Sequence, residues 1–237
     1  MKLVGSRARG AALVLLLSSC GLGSDLTKIT FQIPQKMYSL DTADAKRWKT
    51  PPGGVPTAKC GDGGIPDCCK PGMGVTVDCQ MYPLTCEMQA CVLTIKIELV
   101  QTVNLAMEAP ELKNLAGQQV ADVTLKTITY KLASTLNFDA PPADVYLAPA
   151  TVMTSSSADA KKIGTLPMTP AGKTIEGQMT LDSGAQDAFR ALAKNPAMPF
   201  NVIAVTSPKV KGGTTPMGRL DMWLGGTAEL DLLAGAK

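Results

Sequence analysis

Apolar and polar residues alternate along much of this chain with a period of two, which is the pattern of a β-strand that buries one face. The clearest run extends from Cys91 to Leu105. Its apolar face carries Leu93, Ile95, Ile97 and Leu99. The run predicts an antiparallel strand with one face in a hydrophobic core, and it predicts a bulge or an exposed end near Gln101, where the alternation is interrupted.

The same alternation recurs in shorter runs that are separated by proline, glycine and other turn-forming residues. These runs predict further strands near residues 27–33, 37–40, 122–132, 145–147, 175–181, 200–205 and 220–232. Pro34 follows the first run directly. We expect it to end that strand or to place a bulge in it, because proline cannot donate a ladder hydrogen bond.

The period of the pattern changes directly after Leu181. Asp182 and Ser183 are typical helix-capping residues, and the apolar residues that follow them recur at helical spacing up to about Ala193. Roughly seven to nine strands with short connections, together with one helix, indicate an all-β fold. We therefore expect an antiparallel β-sandwich with one short helix.

The first twenty residues follow a different pattern. Positive charges at Lys2, Arg7 and Arg9 precede a short apolar run, Ala11–Leu17, and then come small residues. This run is much shorter than the roughly 20 residues that cross a bilayer, so it is typical of a secretory signal. The segment Leu17-Ser18-Ser19-Cys20 resembles the lipobox of bacterial lipoproteins.

This resemblance implies that residues 1–19 are a signal peptide and that Cys20 becomes the first mature residue, with acyl chains on its sulfur and often on its nitrogen. Two or more acyl chains give stable membrane attachment, at about 0.8 kcal/mol for each buried CH₂ group. By the same resemblance, Gly21 implies the outer membrane. We expect residues 20–26 to form a short tether and residues 27–237 to form a single sandwich domain.

Six further cysteines lie within residues 51–91, a segment rich in proline and glycine. They are Cys60, Cys68, Cys69, Cys79, Cys86 and Cys91. An even number of cysteines in an exported protein predicts disulfides, here three, that brace an irregular N-terminal lobe. The adjacent Cys68 and Cys69 are not expected to bond to each other. The spacing favours a Cys86–Cys91 bridge, and the other pairs stay open.

Two metal hypotheses compete with the disulfides. A thiolate site normally shows paired C-x₂-C spacing, which is missing here. The segment from Asp62 to Asp67 resembles part of the thrombospondin-type calcium repeats. The preceding run of alternating aspartates is missing, so the segment supplies too few oxygen ligands for calcium. We therefore expect no metal and no cofactor.

Charge and composition exclude several function classes. The chain has 23 basic and 20 acidic side chains, and the three basic residues of the signal account for the difference. A neutral mature domain without a basic stripe does not predict nucleic-acid binding. The sequence contains no histidine, which removes the Ser-His-Asp and Cys-His types of catalysis. We therefore expect a protein that is not an enzyme.

The leading functional hypothesis is an envelope lipoprotein that acts as a protein-interaction, adhesion or structural subunit. Its partners would be the membrane, through the acyl chains on Cys20, and an envelope protein. A first alternative is a carbohydrate- or small-ligand-binding module that uses Trp48 or Trp223 as an aromatic contact. A second alternative is a hydrolase that uses the carboxylates of Asp62, Asp67 and Asp78.

The lipobox gives a direct chemical prediction. Mass spectrometry of the protein purified from membranes should show an N-terminus at Cys20 that carries at least two acyl chains, and Cys20→Ser should release the protein into the soluble fraction. Cys86→Ser is the control, because it removes a cysteine without touching the anchor. An unmodified Cys20 together with free thiols at the other six cysteines would contradict the whole interpretation.

Overall fold

The architecture is taken from a computed structural model of the full chain. It describes residues 28–57, 59–61, 66–69, 77–109, 111–112 and 120–232. The predicted signal peptide, Cys20 and the tether lie outside the described residues, and so does Asp62. None of the helices in the described part is both long and apolar enough to pass through a bilayer.

The described residues form eleven strands and three short helices. The strands are β1 (Lys28–Asp41), β2 (Leu84–Glu87), β3 (Ala90–Thr94), β4 (Ile97–Val103), β5 (Asp122–Ser134), β6 (Ala143–Pro149), β7 (Lys161–Leu166), β8 (Thr174–Gln178), β9 (Phe200–Thr206), β10 (Lys209–Lys211) and β11 (Arg219–Asp231). The helices are α1 (Pro66–Cys69), α2 (Leu105–Glu108) and α3 (Ala185–Ala193).

Two four-stranded antiparallel sheets form the two layers of the sandwich. The first sheet has the order β1-β11-β5-β8, and the second has the order β4-β9-β6-β7. A third, smaller sheet has the order β10-β3-β2. All the strand pairs are antiparallel. The prediction of an all-β antiparallel sandwich is therefore confirmed.

The core lies between the two large sheets and is closed on one side by α3. Residues that alternate along the strands are buried there, among them Phe31, Leu132 and Leu230 from the first sheet and Leu99 and Leu147 from the second. In α3 the buried residues are Ala185, Phe189 and Ala193. Phe189 meets Phe200 of β9 edge to face, with ring centroids 6.3 Å apart.

The bulge predicted at Pro34 is present, and a second register shift lies in the last strand. β1 continues past Pro34, but its register against β11 shifts between Ile33 and Lys36. β11 is one long strand whose register against β5 shifts between Thr227 and Ala228. The predicted cap of α3 is wrong, because Gly184 occupies the cap position and makes no side-chain hydrogen bond.

The run from Cys91 to Leu105 is two strands and not one. β3 belongs to the small sheet and β4 to the second large sheet, and the chain crosses between them at Ile95 and Lys96. The amide of Ile95 donates to the carbonyl of Pro208 at 3.0 Å, which extends the register of β3 against β10 up to the crossing. The predicted irregularity at Gln101 is wrong, since the register between β4 and β9 is continuous there.

Candidate functional site

Three disulfides hold the N-terminal lobe against the small sheet. They are Cys60–Cys86, Cys68–Cys91 and Cys69–Cys79, with Cα–Cα distances of 5.8, 5.4 and 5.8 Å. The first two tie the lobe to β2 and β3, and the third ties α1 to the segment before β2. The predicted use of all six cysteines in disulfides agrees with this arrangement.

The expected Cys86–Cys91 bridge is wrong, although the two residues are register partners on β2 and β3. The hairpin between them is already closed by its backbone, with Glu87 opposite Ala90. Its two turn residues, Met88 and Gln89, have φ values of 48° and 59°, as a type I′ turn requires. A disulfide across this turn adds little constraint, whereas bonds to Cys60 and Cys68 attach a distant segment.

The disulfide Cys69–Cys79 fixes a compact turn ahead of β2. The amide of Val77 donates to the carbonyl of Cys69 at 2.9 Å, and the amide of Tyr82 donates to the carbonyl of Asp78 at 2.8 Å. The carboxylate of Asp78 accepts from the amide of Gln80 at 2.9 Å. Asp78 therefore has a structural role as a turn cap, and the side chains of Asp62 and Asp67 lie outside the described part of the chain.

A groove of about 310 Å³ lies beside this turn, and we call it the basic groove. Its lining residues are Lys46, Arg47, Lys49, Met81, Tyr82, Pro83, Leu93, Thr94, Ile95, Lys96, Ile97 and Glu98. Four of these residues are cationic and one is acidic. Arg47 lies near Asp44, with 3.6 Å between nitrogen and oxygen. The side chains of Lys46 and Lys49 form no ion pair with another described residue.

Trp48 anchors the wall that carries three of these cations. The amide of Trp48 donates to the carbonyl of Asp44 at 2.8 Å, which closes one helical turn. Its ring is only 6% exposed and packs against Phe138 with centroids 5.9 Å apart. Because the ring is buried, it anchors the backbone of this turn, and its charged neighbours Lys46 and Lys49 are exposed.

The floor of the groove is the crossing between β3 and β4. Leu93, Ile95 and Ile97 are buried there, while Lys96 and Glu98 reach the surface. Lys96 and Glu98 form an ion pair at 2.9 Å. The crossing therefore adds one more cation to the groove and supplies a carboxylate that partly neutralises it.

Glu98 is held ionised by hydrogen bonds. Burial alone raises the pKa of Glu98, but bonds from Ser155, Lys96 and Thr154 outweigh this effect and lower the pKa to about 2. The amide of Ser155 also donates to the carboxylate at 3.2 Å. A carboxylate with so low a pKa does not serve as a general acid near neutral pH.

Ser155 is not arranged as a nucleophile. Its hydroxyl donates to the Glu98 carboxylate and also lies 3.3 Å from Nζ of Lys96. A nucleophilic serine needs a neighbouring base that can take its proton, and this carboxylate is a very weak one. Ser155 and Glu98 are therefore not arranged to transfer a proton.

Within the described residues, one group of side chains has the spacing of a metal site. It consists of the buried Cys60, Cys68 and Cys91, whose sulfur atoms lie within 4.8 Å of one another. All three are bonded in disulfides, and a disulfide sulfur is not a thiolate ligand. The cluster reflects two neighbouring disulfides, and it supplies no metal site while they are oxidised.

Trp223 has a different environment from Trp48. It lies on the outer face of β11, in register with Met37 of β1 on one side and Lys131 of β5 on the other. Nζ of Lys131 is 5.9 Å from the centre of the ring. On the same face of the strand, Oδ1 of Asp221 is buried and has no hydrogen-bond partner. The ring is half-buried and keeps one side toward solvent.

The basic groove was not predicted from the sequence. The run Lys46-Arg47-Trp48-Lys49 was a local signal, because three cations surround one aromatic anchor. Lys96 joins them only through the fold, since it lies almost fifty residues further along the chain. The net charge does not reveal such a cluster, because it is a sum over all the charged residues.

No known family and no curated protein matches the chain in sequence. Several solved structures are similar to the chain at a low level. The virion protein of Kashmir bee virus is 10% identical over 97% of this chain and 82% of its own, with a TM-score of 0.30. The structure of Mud crab tombus-like virus is 8% identical over 98% of this chain and 94% of its own, with a TM-score of 0.31. A carbohydrate-binding module of the β-sandwich superfamily is 10% identical over 89% of this chain and 57% of its own, with a TM-score of 0.26.

The low pKa of Glu98 predicts a pH-dependent contribution to stability. Because the folded value lies below the ordinary value of 4.5, ionised Glu98 stabilises the fold above about pH 4.5, and this stabilisation is lost as the pH falls toward 2. Glu98→Gln should therefore reduce the free energy of unfolding by about 1–2 kcal/mol at neutral pH. Thermal unfolding should show the difference shrinking toward about pH 2.

Glu111→Gln is the control for losing one surface carboxylate, since Glu111 is exposed and lies outside the groove. A difference between Glu98→Gln and the unchanged protein that stays constant from neutral pH to about pH 2 would contradict the electrostatic explanation.

Proposed function

We propose that this protein is an exported lipoprotein of the bacterial cell envelope, anchored in the outer membrane through acyl chains on Cys20, and that its folded domain is a non-catalytic binding module. The basic groove would bind an acidic, extended segment of an envelope protein partner. The anchor rests on the lipobox resemblance, and the export that it implies agrees with the three disulfides.

The main support for an acidic partner is the pair of unpaired lysines in the groove. Lys46 and Lys49 have no carboxylate partner among the described residues, while Lys96 has Glu98. Clustered cations attract an acidic ligand, and a groove whose backbone is already ordered loses less entropy when the ligand binds. A complementary acidic segment would supply the counter-charges that the fold itself does not.

The secondary structure beside the groove supports an extended ligand. β4 begins in the groove floor and lies at the edge of the second sheet, where β9 is its neighbour on one side. An extended peptide can add to such an edge through main-chain hydrogen bonds. Acidic side chains of that peptide would then lie near Lys46, Lys49 and Lys96.

The absence of histidine from the sequence and the roles of the local carboxylates support a non-catalytic function. Glu98 is held ionised by its hydrogen bonds, and Asp78 caps a turn. Ionised Glu98 does not serve as a general acid near neutral pH, and the hydrogen bond of Asp78 gives that residue a structural role.

The proposal predicts charge-dependent binding of an acidic peptide. With a fluorescent hexaglutamate peptide as the probe, Lys46→Ala combined with Lys49→Ala should weaken binding about tenfold, as the loss of two exposed ion pairs predicts. Fluorescence anisotropy at low salt measures this change, and added salt should weaken binding to the unchanged protein more than to the variant. Arg47 is kept, because it also donates to the carbonyl of Ser39 at 3.3 Å.

Lys194→Ala is the matched control, because it removes one exposed lysine at the opposite end of the sandwich. Lys194 follows α3, which is tied to the start of β5 by Arg190 and Asp122 at 2.6 Å. The basic groove follows the end of β1, and β1 and β5 run in the same direction on either side of β11. Equal weakening by the control, or no weakening by the double variant, would overturn the proposal.

A second candidate function is saccharide binding at Trp223. A half-exposed ring on the face of a sheet can stack on a sugar, and polar groups beside it can bond to hydroxyls. Arg219, which pairs with Oδ2 of Asp221 at 2.9 Å, is an exposed polar group on the same face of β11. Trp48 does not fit this role, because its ring is buried.

A glycan array tests the second candidate. Binding to a glycan should be lost in Trp223→Ala and largely kept in Trp223→Tyr, which retains an aromatic ring. Lys131→Ala should keep or strengthen binding, because it uncovers the ring. An array without any signal, or a signal that Trp223→Ala does not change, would rule this candidate out. Thermal unfolding of each variant checks that the fold persists.

A further inference from the structure

The exposed large apolar side chains in the described part of the chain are all methionines. They are Met37, Met81, Met88, Met107, Met153, Met168, Met198 and Met217, each between 50% and 95% exposed. Met179 and Met222, at 6% and 1%, are the buried methionines of the same part. A surface that merely tolerated apolar side chains would also expose leucine or isoleucine, so this restriction points to the chemistry of the thioether.

The exposed methionines are distributed over the surface and not gathered in one element. Six lie in connections between elements, from the turn before β2 to the loop before β11. A docking surface would place several apolar side chains together. Their distribution over separate connections instead lets solutes reach each sulfur independently.

The thioethers are also the readiest sulfur nucleophiles in the described residues. A thiolate reacts with oxidants more readily than a thioether. All six cysteines of this part are bonded in disulfides. An oxidant that reaches the folded domain therefore meets methionine sulfur first.

We propose that the exposed methionines are a sacrificial trap for two-electron oxidants, such as hypohalous acids and peroxides. With hypochlorous acid, each thioether sulfur loses two electrons and gains one oxygen as a sulfoxide, while the acid is reduced to chloride and a proton is released. With a peroxide, the sulfur attacks one oxygen, the O–O bond breaks and water or an alcohol leaves. Met81 lines the basic groove, whereas the other seven exposed methionines lie outside it, so most of the trap does not depend on the ligand of the groove.

The fold is arranged so that this oxidation does little structural harm. A sulfoxide is polar, so it is solvated at an exposed site such as Met88 at the tip of the β2–β3 hairpin. At Met222, in the core face of β11, the same group would be buried among apolar side chains without a donor. The sulfur atoms exposed to oxidant are therefore the ones whose oxidation the fold tolerates.

Stepwise oxidation of the full-length protein with hypochlorous acid tests the proposal. Peptide mass spectrometry should show sulfoxide at all eight exposed methionines before it appears at Met179 or Met222. The midpoint of thermal unfolding should move by less than about 2 °C at that stage. Methionine sulfoxide reductases should then restore the thioethers. An oxidant-sensitive reporter enzyme in the same solution should stay active until the trap is filled.

Two variants distinguish a trap from incidental reactivity. Replacing Met81, Met88 and Met107 with leucine should lower the oxidant consumed before the reporter fails by three equivalents, one for each thioether removed. Replacing Met179 and Met222 with leucine is the control and should leave the consumption unchanged. Unfolding after the first equivalents, or a reporter that fails equally early with all three proteins, would overturn the proposal.

Discussion

The cysteine-rich lobe depends on covalent bonds, because its own sequence cannot supply a core. Between Pro51 and Lys70 proline, glycine and charged residues predominate, and too little apolar surface is available to offset the entropy of ordering. The disulfides span 26, 23 and 10 residues, and loops of this size contribute about 3 kcal/mol each when chain entropy is the cause. Two of the bonds end on β2 and β3, so the lobe takes its order from the sheet.

This attachment also positions the basic groove. The turn held by Cys69–Cys79 forms one wall, and the segment anchored by Trp48 forms the other. The floor is the point where the chain leaves the small sheet and enters the second large sheet. Each part is therefore fixed by a different interaction, and rigid walls reduce the entropy lost when a ligand binds.

The local sequence pattern was sufficient to predict the strands, but it was insufficient to predict how they assemble into sheets. The alternation of buried residues continues in phase from Leu93 to Leu99, although β3 and β4 lie in different sheets. Periodicity reports which face is buried and carries no signal of a change of sheet. The disulfide pairs could not be predicted for a related reason. Cys86 and Cys91 are register partners, yet each bonds to a cysteine of a distant segment. The gathering of Lys96 with Lys46 and Lys49 also follows from tertiary structure alone.

The distribution of charge explains how a neutral domain can present a cationic site. Several acidic side chains away from the groove form ion pairs with basic side chains of the sandwich. Examples are Glu229 with Lys28 and Lys126, Asp122 with Arg190, and Asp144 with Lys162. Local pairing of this kind neutralises much of the surface, so a few unpaired lysines dominate the field of the groove at distances within a Debye length of about 8–10 Å. Recognition of an acidic ligand requires this local imbalance and does not require a net positive charge.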